Sequence, residues 1–158
     1  MTPSDSPESP VTQLIEAYEL CGAPVVGLAE VKPAEVSKFG VMGGARQDNG
    51  LYKIDRFVEK PAVGEAPSNL VAVGLYIITP DVLEILGTMK EGKSGEIRLA
   101  DAFDILLSQG KPLYGLKLEG EWLDTGDKFG LMKANIKLGL KNPEVKDKLK
   151  QLINELAD

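Results

Sequence analysis

Apolar residues along this chain recur in two rhythms, one of helices and one of strands. Val11, Leu14, Ile15 and Tyr18 fall at helical spacing behind Ser9-Pro10, a capping residue followed by proline at the first helical position, and Gly22 supplies the stop. Pro24 to Ala29 is a short apolar run bounded by turn formers and reads as a buried strand. One helical turn fits Lys32 to Lys38, and Phe39 to Met42 resumes as strand. Asp48-Asn49-Gly50 is a turn signal, so Leu51 to Glu59 reads as the return strand of a hairpin. Pro61 to Asn69 is a loop, Leu70 to Thr79 a central strand, and Pro80 opens a helix through about Leu86. Ile97, Ala100, Phe103 and Leu107 share the face of another helix, ended by Gly110. Leu113 to Leu118 alternates as a strand. Trp122-Leu123-Asp124 then leads to a turn and a helix from Asp127 to about Leu140. Asn142-Pro143 breaks the chain before a last amphipathic helix through Val145, Leu149, Leu152, Ile153 and Leu156. The order predicts an α/β fold, a mixed sheet with flanking helices.

Composition narrows what such a fold can do. None of the 158 residues is histidine, which removes imidazole bases, histidine–zinc sites and Ser/His or Cys/His catalysis. Chemistry here must run on carboxylates, lysines, backbone dipoles and a hard metal ion. A single cysteine, Cys21, excludes an intrachain disulfide and fits a reducing cytoplasm. The net charge of −6 argues against nonspecific nucleic-acid binding. No apolar run approaches the roughly 20 residues that span a bilayer, so no membrane role is expected. The Ser/Pro-rich residues 1–9 read as a disordered tail rather than a secretory signal.

Four segments could carry chemistry, and each also has a plain structural reading. In Phe57-Val58-Glu59-Lys60-Pro61, a strand ending at a proline-led loop can turn Glu59 and Lys60 toward one crevice, where the carboxylate would accept from hydroxyls and the ammonium pair with a phosphate. A solvated acid–base pair is the other reading. Gly74, inside an apolar strand, marks a bulge, a ligand's close approach, or packing against a neighbouring strand. Glu96 precedes a helix, where the dipole alone favours an acid. Asp124, at the end of a strand before a glycine turn, is placed to ligate Mg2+ or simply to shape the turn; Asp127 reads as the cap of the next helix.

The order of these segments matters more than any one of them. Val26 to Val31, Val36 to Val41, Val58 to Pro61, Ala66 to Leu70, Val73 to Tyr76 and Gly95 to Ala102 together resemble the sugar-nucleotide pyrophosphorylases, and most closely the bacterial UTP–glucose-1-phosphate uridylyltransferases. That resemblance implies a Rossmann-like mixed sheet, with residues 10–158 as the C-terminal, sugar-phosphate-binding portion of a nucleotidyltransferase domain. It also implies the reaction of UTP with glucose 1-phosphate to give UDP-glucose and pyrophosphate, assisted by Mg2+. Position by position, Glu59 matches a sugar-hydroxyl acceptor and Lys60 a phosphate-contacting catalytic lysine. Gly40 and Gly74 match backbone positions near the glucose, and Asp124 a metal carboxylate; Glu96 either touches ligand or holds the fold. The family's G-x-G-T-R loop and first metal aspartate have no counterpart between Met1 and Pro24. The resemblance therefore implies a chain with little turnover alone, an exposed sheet edge, and homo-oligomerisation or pairing with a chain supplying the N-terminal half. A noncatalytic sugar-phosphate-binding or oligomerisation module is the alternative, as is a related thymidylyl- or cytidylyltransferase.

Overall fold

A computed structural model describes residues 8–91 and 95–157. The tail reading for residues 1–9 lies mostly outside them. The chain divides into two compact units at Gly120, a line the sequence pattern did not draw.

The unit from Glu8 to Glu119 holds every described strand. Helix α1, Pro10–Cys21, starts as the sequence dictates: the Ser9 hydroxyl accepts from the Thr12 amide at 3.1 Å, and Gly22 closes the helix at φ +61°. Its packed face differs from the predicted one. Gln13, Leu14 and Ala17 are buried, whereas Val11, Ile15 and Tyr18 face outward, because apolar residues occupy two sides of this helix and only one meets the sheet. Gln13 is the buried polar residue on that face. Its side-chain amide donates to the Glu119 carbonyl at 3.3 Å and its oxygen accepts from the Glu119 amide at 2.9 Å, so its burial leaves no polar atom unmatched.

Strand β1, Val25–Glu30, is followed by a 3-10 turn over Pro33–Lys38. Strands β2, Gly40–Arg46, and β3, Tyr52–Glu59, form the predicted hairpin, with the Gly50 amide donating to the Gln47 carbonyl at 3.0 Å. Strand β4 is Leu70–Ile77, helix α2 Pro80–Thr88, helix α3 Leu99–Ser108 and strand β5 Tyr114–Lys117. Ala102, Phe103 and Leu106 make the buried face of α3; Ile97 lies outside the helix and is exposed, so the predicted face was turned from the true one.

The mixed sheet is as expected, but it curves until it closes. The strand order is β1-β4-β2-β3-β5, with antiparallel neighbours throughout except where β5 returns to β1 in parallel. The closure is partial: β4 meets β2 only at Val41↔Val71 and Met42↔Leu70, so residues 72–77 have no partner among the described strands on that side. Strands β1 and β5 satisfy each other's backbone groups over Val25 to Leu28 and Tyr114–Lys117. Val26, Leu28, Met42 and Ile54 pack with Val82, Phe103 and Leu106 from the helices on one side, while α1 covers Val25, Leu51 and Leu118 on the other.

The unit from Gly120 on contains helix α4, Lys128–Lys141, and helix α5, Lys146–Ala157. Asp127 caps α4 as the sequence predicts, accepting from the Gly130 amide at 2.7 Å. Within this unit Glu121 pairs with Lys137 and Lys141.

Candidate functional site

Strand β3 ends at Glu59, and the backbone of the next residue decides where its charges go. In an extended chain Glu59 and Lys60 would point to opposite faces. Lys60 instead takes φ +48°, the one positive φ outside glycine among the described residues, while its amide donates to the Phe39 carbonyl at 3.0 Å. A lysine held in this region costs of order 1–3 kcal/mol, and such strain persists where the surroundings impose it. Here it swings the ammonium back beside the carboxylate: Lys60 Nζ lies 4.0 Å from Glu59 Oε1, with both side chains open to solvent. The pair is therefore close in space, an arrangement common to the crevice reading and to the solvated acid–base pair.

Glu59 stands opposite Gly40 in the β2–β3 register. Phe57, two residues earlier on the same strand, shares its face. Its ring lies within 6.4 Å of the Phe103 ring, centre to centre, and Phe103 lies 5.9 Å from Tyr76 on β4. Burial pushes the Tyr76 phenol up, and the negative Glu59 carboxylate adds to that shift. Phe57, Phe103 and Tyr76 thus form an aromatic floor next to the carboxylate. These three were not singled out in the sequence as site residues. The period-2 spacing of Phe57 and Glu59 was the available signal.

Gly74 sits in a bulge. Between the pairs Val26↔Tyr76 and Leu28↔Ala72, β4 carries extra residues against β1, and Gly74 adopts φ +81° among them. Packing against a neighbouring strand does not account for this glycine, since a Cβ there would meet nothing within 4 Å. Val41 pairs with Val71, so β4 beyond Val71 runs antiparallel toward the Gly40 end of β2 and brings Gly74 to the same end of the sheet. Glu96 is exposed on the segment before α3, whose capping position is Arg98.

Asp124 belongs to the second unit. It is not at a strand end as predicted: β5 stops at Lys117, and Gly120, at φ +115°, turns the chain before irregular residues begin. Asp124 Oδ1 accepts from the Gly126 amide at 3.0 Å, which is turn chemistry. Magnesium demands near-octahedral oxygen ligands. Among the described residues no group of three or more His, Cys, Asp or Glu is placed to hold a metal. An exposed carboxylate with one oxygen already engaged does not compose that site by itself. No described helix is long and apolar enough to cross a membrane.

Comparison with known proteins gives the family. Residues 8–139 match the family described as nucleotidyl transferase. A UTP–glucose-1-phosphate uridylyltransferase 2 from Staphylococcus saprophyticus is 39% identical over 153 residues, covering 97% of this chain and 52% of that protein. A crystal structure of UDP-glucose pyrophosphorylase complexed with UDP-glucose superposes with a TM-score of 0.81 at 35% identity, over 89% of this chain and 53% of the other. A UDP-glucose pyrophosphorylase from Acinetobacter baumannii gives 0.85 at 29% identity, over 98% and 53%. The chain spans about half the length of the curated relatives it matches.

Proposed function

Because the chain belongs to the nucleotidyl transferase family, we propose that it carries the sugar-phosphate side of a uridylyl transfer site, serving the reaction of UTP with glucose 1-phosphate to give UDP-glucose and pyrophosphate. A phosphate oxygen of the sugar phosphate attacks the α-phosphorus of the nucleotide. The bond from that phosphorus to the oxygen bridging to the β-phosphorus breaks, and pyrophosphate leaves. Little covalent work falls to the protein, so its residues act by positioning and by neutralising charge.

The observation that carries this reading is the Glu59–Lys60 pair, converged to 4.0 Å by the left-handed backbone at Lys60. Lys60 supplies a cation for the phosphate. Glu59 accepts from sugar hydroxyls, and the open space at Gly74 admits the ring. Calorimetric titration with UDP-glucose, with and without Mg2+, tests it. Saturable binding is expected, and loss of a hydrogen bond to a charged group in Glu59→Gln or Lys60→Ala weakens it by about 10- to 100-fold. Absence of binding at millimolar ligand by the folded chain, or equal binding by all three proteins, would sink the proposal.

A further inference from the structure

We infer that Gly40 is a positioning residue for Glu59: its bare Cα leaves the space in which the Phe57 ring and the Glu59 carboxylate sit, and so fixes where the carboxylate points. The consequence for ligand rests on the functional reading above; the packing does not. A Cβ built on Gly40 would stand 2.5 Å from Phe57 Cζ and 2.9 Å from Glu59 Oε2. The hydrogen that stands in place of a Cβ is thus covered by this chain's own side chains. Positive φ is not the reason for the glycine, because Gly40 is absent from the residues with left-handed backbone. What the position requires is the absence of a side chain.

The arrangement also explains how an exposed glutamate is held. Gly40 and Glu59 are directly paired across the hairpin, and the Lys60 amide ties the strand end to Phe39. Phe57 leans across Gly40 on one side and against Phe103 on the other. Lys60 is the charged group beside the carboxylate, and Tyr76, on β4, is the phenol that the carboxylate helps to push up. Any side chain at position 40 must push the Phe57 ring, the carboxylate, or both. The ring is backed by Phe103, so the carboxylate end yields more readily.

The test reads where the carboxylate sits. A crystal structure of Gly40→Ala should show the Glu59 carboxylate displaced from its wild-type place, because the new Cβ would stand 2.9 Å from Oε2. A carboxylate left in its wild-type place in folded Gly40→Ala overturns the inference. Should Gly40→Ala not fold, the double variant with Phe57→Leu gives the new Cβ room at the ring and must show the same displacement; a carboxylate still in place there is equally fatal. UDP-glucose titration then separates the two ideas. Gly40→Ala should bind about tenfold more weakly, the loss expected for one misplaced charged acceptor, and no weaker than Glu59→Gln when both are present. Wild type that binds no UDP-glucose overturns the functional reading, while the position of the Glu59 carboxylate still decides the role of Gly40.

Discussion

Replacing Gly74 with alanine separates backbone strain from a role in binding, because the structure lets each be sized independently. Gly74 holds φ +81°, so an L-residue there costs about 1–2 kcal/mol. The stiffer unfolded chain of an alanine variant returns about 0.4–1 kcal/mol. No clash is added, since the new Cβ would have nothing within 4 Å. The net loss should be about 1 kcal/mol, which for a chain of this size lowers Tm by about 2–4 °C. Urea unfolding followed by circular dichroism should show an earlier midpoint at an unchanged m-value. A loss above about 4 kcal/mol, the scale of a serious core defect, would mean that Gly74 is packed and the bulge assignment is wrong. On the functional reading the open space is where the sugar approaches, so UDP-glucose affinity should fall by far more than stability does. Full affinity in Gly74→Ala would refute a ligand contact at that position.

The packing sets two more outcomes. Phe103, 1% exposed, joins the rings of Phe57 and Tyr76; Phe103→Ala should cost about 3–5 kcal/mol in chemical denaturation, and a loss below about 1 kcal/mol would contradict its place in the core. The Thr79 hydroxyl bonded to Asp81, aided by Lys111, holds the Asp81 carboxyl below its usual value despite partial desolvation. A depressed carboxyl contributes stability above its unfolded value and loses it as pH falls through the folded one, so Asp81→Asn should lower stability at neutral pH and flatten its decline below about pH 4; a variant with an unaltered acid limb would show that this aspartate contributes nothing.

Local chemistry made much of this fold readable in the sequence. Ser9-Pro10 and Gly22 bracket α1, Asp48-Asn49-Gly50 sets the hairpin, and Gly74 announces its bulge, because each is a short-range backbone requirement met by a residue suited to it. Which side of a helix is buried was less readable. In α1 small and polar residues, Ala17 and Gln13, face the sheet while Val11 and Ile15 do not, so size of the gap decided over hydrophobicity. The parallel meeting of β1 and β5 had no local mark at all. At the candidate site, Glu59 and Lys60 were singled out by their place before Pro61. The left-handed turn at Lys60 was not, since lysine has no preference for it, and neither was the floor of Phe57, Phe103 and Tyr76, which comes from three separate elements.

The closure of the sheet by β1 and β5 also sets an order of assembly. The hairpin of β2 and β3 joins strands about six residues apart, whereas the last seam joins Val25 to Tyr114, and by loop-closure entropy the longer connection costs about 2 kcal/mol more to bring together. On a chain emerging from a ribosome the hairpin can zip as soon as its turn is out. The ring cannot be completed until Tyr114–Lys117 has been made, and until then β1 waits with one flank unsatisfied.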